Sequence, residues 1–235
     1  MTAMSPPRAR ELWKALVDNA SRLIDDARLL LANGSPGRAR SLTVLAQEEL
    51  GKALWIYDAF SLSWSRGDDA ERTVDMLRSH SRDHVRKYME AVVFGGQLDE
   101  FWGGYGRVPQ PAAGETLGDF IERRRAKAEA AAKAANLAKQ SGFYVDISAD
   151  GATHTPDRCD VGDVAGDLTH AAQVVEMLLI SDHTRMKHDA ATPYDSTLEQ
   201  QFRLLPTSHP EELAAWLDAG QPAEDTDNEA QQDAE

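Results

Sequence analysis

An all-α helical bundle carrying one small β-hairpin is the fold this sequence predicts. Three observations point to it: long stretches with apolar residues at three- and four-residue spacing, turn-forming residues between them, and one short alternating stretch, FYVDIS, late in the chain. The first helix is expected from about Ala9 to Ala32, with Leu12, Leu16, Leu23, Ala27 and Leu30 on its apolar face. Asn33-Gly34 stops it, and Ser35-Pro36 opens a short connection, so the next helix returns antiparallel as an αα-hairpin. The second helix contains SLTVLAQEELGKALWIYDAF, residues 41–60. At ~100° per residue, Leu42, Leu45, Ala46, Ala53, Ile56, Tyr57 and Phe60 form one stripe, with Glu49 in its middle. Val44, Gly51, Trp55 and Leu62 form a second stripe opposite. A helix apolar on two faces belongs at the centre of a bundle or in an interface.

A third helix is expected from about Ala70 to Phe94, with Val74, Leu77, Ser81, His84, Tyr88, Ala91 and Val92 on one face. The glycine-rich stretch that follows, broken by Pro109 and Pro111, excludes a regular helix, and Phe101, Trp102 and Tyr105 suggest a loop that packs down. An Ala-rich fourth helix runs from Thr116 to Gly142. FYVDIS and the Asp150-Gly151 turn then predict a hairpin closing near Thr155-Pro156. A fifth helix follows from about Val164 to His188, and Pro210 to Ala219 reads as one more short amphipathic helix.

The chain has 235 residues and a formal net charge of −14, which argues against coating nucleic acid by bulk charge. After Pro222 the acids Glu224, Asp225, Asp227, Glu229, Asp233 and Glu235 face no basic residue, and a disordered tail is expected. Cys159 is the only cysteine, which excludes an intramolecular disulfide and suits a reducing cytoplasm. No signal peptide or membrane span is expected. The domain plan is therefore a helical domain over 9–190, an extension with a short helix over 191–220, and an acidic tail over 221–235.

The chemistry-bearing residues fall in a few clusters. A carboxylate on an apolar face has to be paired, hydrogen-bonded or protonated. Glu49 is expected to find such a partner, an Arg or His on a neighbouring helix. Glu48 and Lys52 are spaced as an i,i+4 surface pair. Asn19 and Asp26, two turns apart on the first helix, are expected to face this region. With Lys87 these residues make up the expected polar network of the core. RSHSRDHVRK, residues 78–87, holds His80 and His84 among the cations Arg78, Arg82, Arg86 and Lys87. Two histidines four apart suit a metal, but no HExxH pattern and no third ligand is near, so no metal and no cofactor is expected. The local cations suit a phosphate or a solvated face pairing with acids. Arg185, Lys187 and His188 complement a helix C-terminus, and RRRAK at 123–127 reads as an exposed face. Walker, dinucleotide and GxSxG motifs are absent.

NASRLIDDARLLL, ARSLTVLAQEELGKAL, HVRKYMEA and FYVDIS with a following Pro resemble the AbiV family of bacterial abortive-infection proteins, in the HEPN superfamily. The resemblance spans about residues 11–190. It implies an HEPN-like bundle, a cytoplasmic phage-defence role, a homodimer, and RNA or a phage protein as partner. It also implies a metal-independent ribonuclease using an Arg and a His on one helix, here Arg78 and His84. Residues six apart on a regular helix point ~120° away from each other, so these two converge only if the helix is irregular or begins between them. A binding module that blocks translation by contact is the other mechanism within that family role. A structural or regulatory bundle without catalysis is the alternative outside it.

Overall fold

The computed structural model describes residues 3–80, 82–96, 110–147, 151–158, 162–188, 195 and 198–211. Among these residues the order is α1 (Pro6–Ala32), α2 (Pro36–Arg66), α3 (Asp75–Ser79), α4 (His84–Gly95), α5 (Leu117–Ser141), β1 (Asp146–Ile147), β2 (Thr153–His154), α6 (Val164–His188) and α7 (Leu198–Ser208). The strands pair antiparallel, Asp146 opposite His154 and Ile147 opposite Thr153. The fold is all-α with one small hairpin between the last two long helices, as the sequence predicts.

α2 is the central rod, in contact with α1, α4, α5 and α6. Its two apolar stripes serve two cores. One joins α1 and α6 in the main core, which includes Trp13, Ile24, Leu50, Ile56, Phe60, Leu178 and Leu179. The other holds Val44 against Tyr88 and Met89 of α4 and Ala132 and Ala135 of α5. Both stripes find partners within the chain, while Leu42 and Leu45 of the first stay part-exposed. Leu62, placed on the second stripe from sequence, is 58% exposed.

The expected third helix is interrupted. Asp83 is extended, at φ −87° and ψ 93°, and its side chain accepts a hydrogen bond from the Arg86 amide at 3.0 Å. This N-cap satisfies an amide that has no partner inside the helix, and α4 starts afresh at His84. α1 differs in phase: its buried line is Trp13, Leu16, Val17, Ala20, Ile24 and Ala27. Asn19 and Asp26 each lie one residue, ~100°, from that line and are exposed. They therefore do not belong to a polar core.

α7 was not foreseen. Pro206 lies inside it and breaks the pattern a sequence reading follows. Leu204, 1% exposed, nonetheless anchors it in the main core, and Arg203 Nε reaches Asp25 Oδ2 at 2.8 Å. Residues 210 and 211 are helical. The rest of the expected Pro210–Ala219 helix lies outside the described residues, as do Ser81, Phe101, Trp102, Tyr105, Cys159 and the acidic tail. No helix among the described residues is long and apolar enough to cross a membrane.

Gly51 sets the spacing of α2 against α4. A Cβ there would sit 2.0 Å from the Lys87 carbonyl oxygen, a backbone atom that cannot swing aside. Alanine ordinarily favours a helix over glycine by about 1 kcal/mol. Gly51→Ala is expected to reverse that sign and destabilise by about 1–3 kcal/mol through overpacking, read as a lower urea midpoint with unchanged slope.

Candidate functional site

Glu48 is the buried carboxylate at the centre of this site. Its side chain is 4% exposed and lies where α2, α4 and α5 meet. Glu48 Oε2 accepts from His84 Nδ1 at 2.6 Å and lies 3.4 Å from Lys87 Nζ. Glu48 Oε1 accepts from Lys139 Nζ at 2.5 Å. Lys139 Nζ also lies 3.2 Å from His84 Nδ1. Two helices, α4 and α5, therefore place three basic groups on one carboxylate of α2.

Local sequence explains how they arrive. The start of α4 at His84 puts that imidazole at the helix entrance, and Lys87 follows one turn later on the same face. Close passage at Gly51 brings α4 in. Lys139 sits in the last turn of α5, whose carbonyl accepts from Ser41 Oγ at 2.8 Å. Just beyond, a Cβ at Gly142 would meet the Gly37 carbonyl oxygen at 2.1 Å, so only glycine allows this end of α5 so close to α2.

A carboxylate ion only accepts hydrogen bonds, so the His84 Nδ1 carries the shared proton and Nε2 is the acceptor of the neutral ring. The His84 side chain is 48% exposed, so the ring meets solvent while its inner nitrogen is anchored. Burial pushes the Glu48 carboxyl up, but hydrogen bonds from Lys139 and His84, with their charges, outweigh it and hold the pKa below the ordinary 4.5. The sign follows by linkage. A depressed folded pKa gives stability that is full above about pH 4.5 and is lost as pH falls through the folded value. Wild type is expected to lose stability on acidification below about pH 4.5, and Glu48→Gln to lack this component, as read from urea midpoints across pH.

The sequence pattern names Glu49 for this role, with an Arg or His of a neighbouring helix as its partner. The structure puts Glu48 there instead. Leu42, Leu45, Glu49, Lys52 and Ala59 form the one part-exposed line along α2 between its neighbours. Glu49 is 21% exposed there and pairs with Lys52 at 2.6 Å. Glu48 accordingly does not pair with Lys52. Glu48 shares a line with Val44, Gly51 and Trp55, as Glu49 shares one with Leu42, Leu45 and Ile56. Lys139 carried no such signal, because it ends an Ala-rich run that reads as exposed.

The remaining candidates are placed as follows. Arg78, in the last turn of α3, is 63% exposed and pairs with Asp75 at 3.2 Å. The helix break lies between Arg78 and His84, which stand on different helices. His80 pairs with Asp83 at 3.4 Å, and the break takes it off the helix that carries His84. Among the described residues, no group of three or more His, Cys, Asp or Glu is placed to hold a metal ion. A groove of about 220 Å³ beside the α4 entrance is lined by Arg86 and Arg125 over Val85 and Met89. A larger cleft, about 500 Å³, lies elsewhere, between the end of α5 and the hairpin, lined by Leu137, Tyr144 and Ile147.

A helical bundle is the fold class of HEPN domains. The HEPN family model described as AbiV matches residues 8–176, most of the chain. The chain belongs to the AbiV family, and is thereby an abortive-infection protein of HEPN type. No curated protein and no solved structure matches it.

Proposed function

We propose that this protein halts phage infection by cutting RNA without a metal ion, with His84 as the proton-transfer group. The observation that carries this reading is a half-exposed imidazole whose inner nitrogen is fixed by a buried carboxylate. Such a ring is held in one tautomer and presents Nε2 outward, where it takes the proton of a ribose 2′-hydroxyl. The 2′-oxygen bonds to phosphorus to give a 2′,3′-cyclic phosphate as the P–O5′ bond breaks, and the proton taken up at His84 Nε2 goes to the departing 5′-oxygen. Charge on the scissile phosphate is met by Arg78 from the last turn of α3 and by the positive end of α4. A homodimer would set two such centres side by side, and sedimentation showing a monomer at micromolar concentration would argue against that pairing.

Purified protein incubated with tRNA and total RNA tests the reading. Cleavage is expected to persist in chelator and to vanish in His84→Ala, while Arg78→Ala retains RNA binding but cuts more slowly, by about 10²-fold or more. RNA bound but left intact by wild type would favour the translation-blocking mode. The third possibility, a bundle whose polar centre only fixes packing, predicts that His84→Ala alters stability and not protection.

A further inference from the structure

Two charged groups of opposite sign meet one nitrogen of His84. Glu48 Oε2 lies 2.6 Å from Nδ1, and Lys139 Nζ lies 3.2 Å from the same atom while donating to Glu48 Oε1 at 2.5 Å. Their effects on the ring differ. A carboxylate beside an imidazole favours the cationic, doubly protonated form. That form carries a proton on both nitrogens and accepts no further one. With Glu48 as its sole neighbour, His84 would be drawn toward this blocked state. An ammonium beside the ring disfavours a second positive charge and works the other way.

Burial decides which charges count. The Lys139 side chain is 10% exposed, so solvent and salt screen it little. The other charged groups around His84 are answered elsewhere or exposed. On α4 itself, Lys87 reaches Glu48 Oε2 at 3.4 Å. At the helix entrance Asp83 accepts from the Arg86 amide and faces His80 at 3.4 Å, and Arg82 is exposed. Arg78 of α3 pairs with Asp75. On α5, Glu129 pairs with Lys133 at 2.7 Å, and Arg125 is exposed. On α2, Glu49 pairs with Lys52. Among the described residues, Glu48 and Lys139 are the two whose polar atoms reach a ring nitrogen of His84.

We infer that Lys139 is a positioning residue for proton transfer: its charge opposes a second proton on His84, so that Nε2 stays free to accept one near neutral pH. Glu48 then sets the tautomer of the imidazole, and Lys139 sets its charge. The ammonium is held in place from behind. Ser41 Oγ donates to the Lys139 carbonyl at 2.8 Å, and the close approach at Gly142 fixes this end of α5 on α2. This role rests on His84 being the proton-transfer group, but the titration of the ring is measured without RNA.

NMR of the full chain across pH follows the His84 ring, its signal identified by its loss in His84→Gln. The midpoint of that titration is expected to rise by about one pH unit or more in Lys139→Gln, which still donates to Glu48 but carries no charge. Lys139→Met is expected to do the same. Lys139→Arg keeps the charge and is expected to stay near wild type. Lys52→Gln removes a cation that pairs with Glu49 instead, and is expected to leave the midpoint in place. RNA cleavage by Lys139→Gln should fall about tenfold below the wild-type midpoint and recover at alkaline pH, as a lost base would and a damaged fold would not. An unchanged or lowered midpoint in Lys139→Gln and Lys139→Met would overturn the inference. So would a shift of equal size in Lys139→Arg or in Lys52→Gln. A raised midpoint in a protein that cuts no RNA would support the effect of Lys139 on the ring and sink the ribonuclease reading alone.

Discussion

Glu48→Ala is expected to destabilise the protein by about 3–5 kcal/mol, the largest single-residue effect at the site. The size follows from what is left behind. Lys87 and Lys139, with side chains 7% and 10% exposed, would lose the carboxylate that answers them. An ammonium in that position has to shed its proton or draw water into the α2–α4–α5 junction, and either costs stability. The neighbouring Glu49→Ala removes only a part-exposed i,i+3 pair with Lys52, and about 0–1 kcal/mol is expected. Urea unfolding of the two variants side by side checks the contrast. Equal effects would mean that one-residue register along α2 does not decide which glutamate is structural.

His84→Ala is expected to abolish phage protection while costing only about 1 kcal/mol of stability. The imidazole is half exposed, and Glu48 keeps Lys139 and Lys87 when the ring is removed. Phage should therefore plate on cells carrying His84→Ala as well as on cells without the protein, though the variant folds and accumulates. The ratio of the two effects is what distinguishes a working residue from a packing residue. Retained protection with a large drop in melting temperature would return His84 to a purely structural role. His84→Gln refines the comparison, because an amide can still donate to Glu48 but cannot relay a proton.

The elements were legible where local chemistry and tertiary packing agree. α6 occupies Val164–His188 as its spacing predicts, and α5 is bounded by Thr116, which caps the Asp119 amide at 3.2 Å, and Gly142. The break before α4 was not legible, because apolar spacing from Val74 to Val92 continues across it; the Asp83 cap decides locally what periodicity smooths over. In α1, apolar residues span a wide arc, and the chosen edge missed Trp13 and Ile24, which are fully buried. That misplacement carried Asn19 and Asp26 inward with it. Along α2, both glutamates lie on apolar lines, so pattern alone leaves them equivalent. Which one is buried depends on where α4 and α5 cover the rod, and that depends on close approaches at Gly51 and Gly142. His84 was identifiable as a candidate from its motif, whereas its partner Lys139 lies 55 residues away on another helix and only the fold brings the two together.

The ring nitrogens of His84 give the most direct test of the account. In ¹⁵N NMR of wild type at neutral pH, the proton should reside on Nδ1, and Glu49→Gln should leave that tautomer in place. Glu48→Gln should disturb it, letting the ring exchange between tautomers. A wild-type ring protonated on Nε2 alone, or one that responds to Glu49→Gln and ignores Glu48→Gln, would contradict the account.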